Sequence, residues 1–197
     1  GVGNLTWVDP RAPTPDAPGA LLAFDTGPAN GPLGLGTFDA GGRLTHSGHP
    51  DHDRVAAFLQ ADFFKVTPPK SLDRLDFEWL EQAVSHLSDT DALATLAACS
   101  VAAVARGMDH VPTPPASVWV TGGGRKNAGV MAGLAHTLPM PVIAVEDVGL
   151  NGDFLEAQAF AYLAARVLAG LSTSAPGTTG VRTPTGGAQI AHPPSFT

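Results

Sequence analysis

The chain has 197 residues, of which 44% are apolar and 15% are charged, a composition typical of a globular protein with one or two domains. No run of about 18 apolar residues is present, and no basic segment precedes an apolar one at the start, so the sequence predicts neither a membrane span nor a signal peptide. The formal net charge of −7 excludes a nucleic-acid binder with a basic face, and we expect small molecules as partners instead.

The first fifty residues predict two core strands and two loops. A short strand follows a glycine turn in residues 1–8, and a Pro-rich loop covers residues 9–18. The apolar run 20–24 is typical of a buried strand, and it delivers a polar turn at residues 25–28. Glycine and proline dominate residues 29–50, which predicts a loop. Because a mature domain rarely begins on a glycine turn, we expect further sequence upstream.

The following residues alternate between helical and strand patterns. Residues 53–64 and 71–87 show helical spacing, with Ser71 as the expected N-cap of the second helix. The longest predicted helix covers residues 89–107, and Asp89 is its expected cap. A strand, helix, strand and helix then predict an α/β layer with right-handed crossovers. These four elements are expected at residues 117–121, 127–138, 141–145 and 153–169.

The single cysteine, Cys99, cannot form a disulfide within the chain, which suits a reducing cytoplasm. It lies in a small apolar stretch with helical spacing. We therefore expect Cys99 to be a buried, unreactive thiol and not a nucleophile.

Three glycines, Gly122 to Gly124, separate a predicted buried strand from a predicted helix. Glycine lets a ligand approach the backbone closely, and N–H groups at a helix start can receive an anion or a nucleotide. The Walker spacing is absent, and a dinucleotide fingerprint would need glycine at the position of Asn127. The same residues also suit a tight turn with Arg125 and Lys126 in solvent, and the loop alone favours neither interpretation.

Two carboxylates are candidates for ligand contacts. Asp25 lies at a predicted strand tip, where open α/β sheets bind ligands, although an Asx-type turn that closes the strand explains it equally well. Glu156 lies in the first turns of the last predicted helix, where the helix dipole alone favours a negative charge.

A cluster of histidines, His46, His49 and His52, lies in the Gly- and Pro-rich segment. The segment offers no regular scaffold, and no cysteine accompanies the histidines. Solvent-exposed side chains are therefore favoured over a metal site, and we expect no direct metal ligands in this chain.

Six segments, taken in order, resemble motifs of the C-terminal half of the anhydro-N-acetylmuramic acid kinases, which belong to the actin-like ATPase superfamily. Each motif alone is weak, but six in the same order are a strong signal. The segments are Gly1-Val2-Gly3-Asn4-Leu5-Thr6, Phe24-Asp25-Thr26-Gly27-Pro28-Ala29-Asn30, Pro68-Pro69-Lys70-Ser71 with Arg74 and Phe77, Ala94-Thr95-Leu96, Gly122-Gly123-Gly124-Arg125-Lys126-Asn127, and Gly152-Asp153-Phe154-Leu155-Glu156-Ala157 followed by Ala159-Phe160-Ala161.

The resemblance implies a ribonuclease H-like lobe, with a mixed sheet flanked by helices, from a two-lobed sugar kinase whose N-terminal lobe is missing here. Residues 1–197 would form most of the C-terminal lobe, with a loop-rich insertion at residues 31–70 and a surface-wrapping tail at residues 172–197. The implied reaction uses ATP and Mg²⁺ to convert 1,6-anhydro-N-acetylmuramic acid and water to N-acetylmuramic acid 6-phosphate in peptidoglycan recycling. The implied location is the cytoplasm, and a homodimer is left open.

The resemblance also implies roles for individual residues. The ATP-binding residues would be Gly122, Gly123, Gly124, Asn127, Gly1 and Asn4. The residues near the phosphates and the metal would be Asp25, Thr26, Gly27 and Asn30. The sugar-binding residues would be Glu156 and Asp153. The catalytic base would be an aspartate upstream of this chain, so the chain alone is expected to be inactive.

Two features depart from the family pattern. The half that carries the first phosphate loop and the base aspartate is absent, and residues 31–36 are too rich in Gly and Pro for the helix that the family has after Asn30. Two alternatives therefore stay open. One is a kinase of the same superfamily that acts on another sugar or a small acid, and the other is a non-catalytic lobe that binds or dimerises.

Overall fold

The computed structural model describes residues 1–29 and 39–191, and these residues form a mixed α/β fold, as the sequence predicts. The strands and α-helices in chain order are β1 (Val2–Val8), β2 (Leu21–Pro28), α1 (Arg43–Ser47), α2 (His52–Phe58), α3 (Trp79–Val84), α4 (Asp89–Gly107), β3 (Val118–Val120), α5 (Ala128–Thr137), β4 (Val142–Ala144), α6 (Leu155–Leu168) and α7 (Pro176–Thr179). Single 3-10 turns cover Ala40–Gly42, Asp62–Lys65, Arg74–Phe77, Met108–His110, Gly123–Lys126 and Val145–Val148.

The strands of the described residues form two separate two-stranded sheets and not one mixed sheet. β1 and β2 pair antiparallel, with a bulge between Gly3 and Asn4, whereas β3 and β4 pair in parallel. Helix α4 packs on β1 and β2, while α5 packs on both α4 and β4. The two sheets therefore contact different parts of the same helix layer.

The core is organised around α4, which has ten buried residues. One side of α4 packs on an aromatic cluster in which the rings of Phe58 and Phe64 lie 4.8 Å apart and those of Phe58 and Phe77 lie 5.2 Å apart. Another side packs through Val101 on Val130 and other residues of α5. The stretch Asp89–His110 is long and apolar enough to cross a membrane by length and composition alone, but 61% of its apolar window is buried within the protein, as in a core helix.

The thiol of Cys99 lies in this core, as predicted. The residue is 0% exposed, and burial raises the pKa of the thiol to about 12. A thiol with so high a pKa carries almost no thiolate at neutral pH, so Cys99 is not a nucleophile.

The predicted helix starts are wrong by one or two residues. Ser88, and not Asp89, caps α4, because its hydroxyl oxygen accepts a hydrogen bond from the Asp91 N–H at 3.2 Å. Asp73, and not Ser71, caps the helix predicted at residues 71–87, which the structure divides into a 3-10 turn and α3. The predicted helix 53–64 is likewise divided, because α2 ends at Phe58 and a 3-10 turn then brings Phe64 back into the core.

Two loop predictions in the first fifty residues are also wrong. Residues 25–28, expected to form a polar turn, are instead the last four residues of strand β2. Within this strand, the Asp25 N–H donates to the carbonyl oxygen of Lys70 at 3.0 Å. The loop expected at residues 29–50 contains helix α1, because the Asp39 carboxylate accepts hydrogen bonds from the N–H groups of Leu44 and Thr45. Residues 30–38, which include the expected break after Asn30, lie outside the described residues.

The described part of the C-terminal tail lies against the first sheet. Helix α7 packs on β2, and Ser174 and Thr185 form an isolated antiparallel bridge. Residues 192–197 lie outside the described part.

We predict that Thr95→Val lowers the free energy of unfolding by about 1–3 kcal/mol, because it leaves a backbone N–H group without an acceptor. The Thr95 side chain is 0% exposed, and its hydroxyl accepts from the Asp51 N–H at 2.9 Å while donating to the Asp91 carbonyl oxygen at 2.7 Å. Valine has the same shape but cannot accept. Urea denaturation of both proteins measures the difference.

Ser100→Ala is the matched control for this prediction. The Ser100 hydroxyl lies on the same helix and donates to the Leu96 carbonyl oxygen at 3.2 Å, but among residues 1–29 and 39–191 it accepts no hydrogen bond from another element. Its removal is expected to change stability by less than about 0.5 kcal/mol. Equal losses for the two variants would contradict a role for Thr95 in joining α4 to the start of α2.

Candidate functional site

The glycine turn, defined here as Gly122, Gly123 and Gly124, follows β3 directly and enters a 3-10 turn. Gly122 has φ +69° and ψ −168°, a conformation that is essentially restricted to glycine. A Cβ atom on Gly122 would have no neighbour within 4 Å, and one on Gly124 would lie 3.9 Å from Val130 Cγ1. The outer surface of the turn is therefore open to a ligand.

Asn127 ends this segment as the N-cap of α5. It is 5% exposed, and its side-chain oxygen accepts from the N–H groups of Gly129 and Val130 at 3.0 and 3.2 Å. Capping explains why an asparagine occupies this position. A direct contact between Asn127 and a nucleotide stays a prediction.

A polar network links the glycine turn to the start of α6 through hydrogen bonds. The predictions from the sequence did not include it. The Arg125 side chain is only 5% exposed, and its guanidinium donates to Glu146 Oε1 at 2.8 Å, to Asp153 Oδ1 at 2.7 Å and to the Gly122 carbonyl oxygen at 2.7 Å. Lys126 Nζ donates to the same Asp153 oxygen at 2.7 Å.

The network favours the ionised carboxylates. Hydrogen bonds from Arg125 and then Lys126 lower the pKa of Asp153 to about 2, and the hydrogen bond from Arg125 also lowers the pKa of Glu146. Asp153 was assigned to the sugar by resemblance, but its carboxylate is already shared by two cations. A direct contact between Asp153 and a sugar stays a prediction.

A charge pattern in the sequence could have indicated this network. Two basic residues follow the glycine turn, and acidic residues follow β4 and precede α6. Because β3 and β4 are parallel neighbours, their carboxyl ends share one edge, which brings these charges together. The interpretation of Arg125 and Lys126 as solvated side chains is wrong for Arg125.

Glu156, the other candidate for the sugar, lies in the first turn of α6 and is exposed. Its carboxylate makes no hydrogen bond or ion pair within the part of the chain that the structure describes. It lies three residues beyond Asp153, so the network fixes the backbone next to it. The Glu156 carboxylate is therefore accessible from solvent, and a direct contact with a sugar stays a prediction.

A second group of candidates lies at the end of the β1–β2 sheet. The Asp25 carboxylate accepts from Asn4 Nδ2 at 3.1 Å and from the Leu72 N–H at 2.8 Å, so it joins both strands to the segment after Lys70. The Gly1 carbonyl oxygen accepts from the Ala29 N–H at 2.9 Å at the same end of the sheet.

Thr26 and Gly27 follow Asp25 but lie in the core. Thr26 is 2% exposed, and a Cβ atom on Gly27 would lie 2.8 Å from the Cβ of Ala103 in α4. Glycine is needed there because the strand and the helix approach closely. The structure thus gives Thr26 and Gly27 packing roles, and Asn30, the fourth candidate of this segment, lies outside the described residues.

The histidines do not gather into a metal site. His46 and His52, together with His136, line a cavity of about 350 Å³ between α1, α2, α4 and α5, whose walls also include several alanine and glycine residues. The His49 ring is exposed and lies 3.9 Å from the Asp91 carboxylate. Within residues 1–29 and 39–191, no three His, Cys, Asp or Glu side chains are placed to hold one metal ion.

Comparison with known proteins agrees with the motifs. A family model described as anhydro-N-acetylmuramic acid kinase matches residues 1–191. The anhydro-N-acetylmuramic acid kinase 1 of Jannaschia sp. (strain CCS1) is 56% identical over 200 residues, which cover 98% of this chain and 53% of the relative. The corresponding proteins of Ruegeria sp. (strain TM1040) and Caulobacter vibrioides are 53% and 45% identical over 100% and 96% of this chain. The chain spans about half the length of the curated relatives it matches.

We predict that the Asp153 carboxyl titrates with a midpoint near pH 2 and that Arg125→Met raises this midpoint toward about 3.9, the ordinary value for aspartate. A lowered pKa in the folded state means that the group stabilises the fold above about pH 4 and loses this effect as the pH falls toward 2. Carbon-13 NMR of the side-chain carboxyl measures both midpoints.

Asp62, an exposed carboxylate paired with Lys65 at 2.7 Å, is the internal control and should keep its midpoint in Arg125→Met. An Asp153 midpoint that does not move in the variant would show that the Arg125 hydrogen bond does not determine the pKa of this group.

Proposed function

The chain belongs to the anhydro-N-acetylmuramic acid kinase family, and we propose that residues 1–197 form most of the C-terminal lobe of a two-lobed cytoplasmic kinase with a ribonuclease H-like fold. The proposed reaction converts 1,6-anhydro-N-acetylmuramic acid, water and ATP to N-acetylmuramic acid 6-phosphate and ADP in peptidoglycan recycling. The observation that carries this proposal is the family match over residues 1–191.

The exposed apolar surface of α6 supports a second lobe. None of the 14 residues of α6 is buried, and Phe160 and Leu168 are 67% and 75% exposed. Phe154, just before the helix, is 59% exposed. Large apolar side chains of this kind usually mark a surface that another part of a protein covers. In this proposal, the half of the relatives' length that the chain does not span covers α6.

The glycine turn is the proposed site for the adenosine part of ATP. Its outer surface is open, and Gly123 and Gly124 begin a helical turn, where N–H groups have no intrahelical acceptor. With a net charge of −7, the chain has few cations to offer to phosphates, so backbone N–H groups and a bound cation must supply most of the neutralisation.

At Asp25, Mg²⁺ fits best through its bound water. Mg²⁺ keeps several waters in its shell and usually binds one or two carboxylates. Each Asp25 oxygen already accepts one hydrogen bond, which leaves lone pairs for metal-bound water but makes a direct ligand less suitable. We therefore place Asp25 near the phosphates as an acceptor for such waters. The ion would supply charge neutralisation at the γ-phosphate.

The proposed chemistry couples two bond changes. Water attacks the anomeric carbon, the bond from this carbon to the 6-oxygen breaks, and the 6-oxygen takes the γ-phosphoryl group of ATP. The proton of the water goes to a base that we place in the other lobe. Glu156 would accept hydrogen bonds from sugar hydroxyls and thereby orient the anomeric carbon toward the water.

We predict that the full-length protein releases ADP only when 1,6-anhydro-N-acetylmuramic acid is present. Glu156→Gln should lower kcat/KM for this sugar by roughly tenfold to a thousandfold, which corresponds to about 1.4–4 kcal/mol of transition-state stabilisation. Glutamine keeps the size and one acceptor but removes the charge. Coupled ADP detection and mass spectrometry of the phosphorylated sugar measure the effect. The 197-residue chain alone should show no turnover, because the proposed base belongs to the other lobe.

Other anhydro-sugars, hexoses and small acids form the comparison panel for this assay. Preference for one of them would reassign the substrate within the superfamily, and no turnover with any of them would favour a non-catalytic lobe. Were Glu156 only a charge at a helix start, Glu156→Gln would lower stability by about 0.3–1 kcal/mol and leave kcat/KM unchanged.

We predict that Gly124→Ala weakens ADP binding by the full-length protein at least tenfold while the fold persists. Gly124 has no positive φ, and the added methyl group would make only an ordinary contact with Val130 Cγ1 at 3.9 Å. The methyl group would nevertheless occupy the space through which a nucleotide approaches the backbone. Isothermal titration calorimetry measures the dissociation constant.

Gly186→Ala is the control, because Gly186 also lacks a positive φ and lies in the exposed tail. Its ADP affinity should equal that of the wild type. Unchanged ADP binding by a folded Gly124→Ala variant would remove the glycine turn from the nucleotide site.

A further inference from the structure

The Arg125 side chain is hydrogen-bonded to three separate segments of the chain. Its guanidinium donates to the glycine turn at the Gly122 carbonyl oxygen, to the segment after β4 at Glu146, and to the start of α6 at Asp153, all at 2.7–2.8 Å. A planar guanidinium can satisfy acceptors in three directions at once, whereas a lysine ammonium on its flexible stem cannot hold the same fixed geometry.

The backbone around Arg125 is shaped to admit this side chain. A Cβ atom on Gly152 would overlap Arg125 Nε, so any residue other than glycine at this position would displace the guanidinium. The Gly152 N–H also donates to Glu146 Oε1 at 3.2 Å, the same oxygen that accepts from Arg125. The segment before α6 therefore packs directly on the guanidinium.

Helix α6 has little apolar packing that could fix its position. None of its residues is buried, and its polar attachments lie at the two ends. Arg125 holds the start through Asp153, while Arg166 holds the end by donating to the Ser172 carbonyl oxygen at 2.6 Å and by pairing with Asp16 at 3.5 Å. The position of Glu156, in the first turn, therefore depends on the attachment at the start.

We propose that Arg125 is a positioning residue that fixes Glu156 relative to the glycine turn, so that the nucleotide and the sugar are held in one geometry. This inference rests on the proposed function. It assigns to Arg125 an effect that acts through Glu156, and it assigns no direct contact with either substrate. In this role, Arg125 acts on Glu156 indirectly, because its ion-pair partner Asp153 lies three residues before Glu156.

A double-mutant cycle in the full-length protein tests this role, with Arg125→Met, Glu156→Gln and both changes combined. Arg125→Met should lower kcat/KM for the anhydro-sugar by roughly tenfold to a hundredfold and change the ADP dissociation constant by less than about threefold. In the Glu156→Gln background, Arg125→Met should lower kcat/KM by less than about threefold further, because the carboxylate that it positions is already gone. Arg125→Lys should recover part of the loss.

Arg166→Met is the matched control, because Arg166 is also a shielded arginine that attaches α6, but at the end remote from Glu156. Its kcat/KM should stay within about threefold of the wild type. Equal losses for Arg125→Met and Arg166→Met, or a full loss for Arg125→Met in the Glu156→Gln background, would overturn the positioning role and leave Arg125 with general support of the fold.

Hydrogen exchange separates failure of this inference from failure of the proposed function. Amides of residues 153–158 should exchange at least tenfold faster in Arg125→Met than in the wild type, while those of α5 should not change. Faster exchange in a protein that has no sugar-dependent ADP release would mean that the attachment exists and the proposed function is wrong. Unchanged exchange at residues 153–158 would overturn the inference whatever the activity.

Discussion

Burial of helix α4 is the constraint on which the described fold depends. Helices α1, α2, α3 and α5 and strands β1 and β2 all pack on it, and ten of its 19 residues are buried. The aromatic cluster, the α5 contacts and the first sheet therefore share one apolar surface. Because α5 packs on α4, the glycine turn before α5 and the Asp25 end of β2 are both positioned by the same helix.

Helix α6 is held in a different way. Its attachment relies on charged groups at its ends, and Phe160, Tyr162 and Leu168 are exposed. An ion-pair attachment fixes direction and distance but contributes less to stability than burial does, since the charged partners are partly exposed. The fold thus combines an apolar body, which carries the proposed nucleotide turn, with a polar attachment that sets where Glu156 lies. This division suits the proposed contact between the exposed apolar residues of α6 and another part of the protein.

The sequence predicted features that depend on local patterns. The helix at residues 89–107 and the strand before Gly122 follow from spacing and composition, and the structure contains both as α4 and β3. The expected burial of that strand is wrong, because no residue of β3 is buried and Trp119 is 54% exposed. The caps at Ser88 and Asp73 were missed, because several Ser and Asp residues near each helix start could serve. Helix α1 was missed, because its stability comes from the Asp39 carboxylate and from contacts with α4 and α5, which no local pattern reveals. The Arg125 network was missed because its partners lie 21 and 28 residues away and meet only through the parallel pairing of β3 and β4.

The central claim is that the glycine turn binds a nucleotide and that Glu156 faces the sugar beside it. A crystal structure of the full-length protein with a non-hydrolysable ATP analogue and 1,6-anhydro-N-acetylmuramic acid tests this claim most directly. The account predicts adenosine atoms against the backbone of Gly122 to Gly124 and a sugar hydroxyl within about 3.2 Å of a Glu156 carboxylate oxygen. A nucleotide bound elsewhere, or a sugar that leaves Glu156 in solvent, would contradict it.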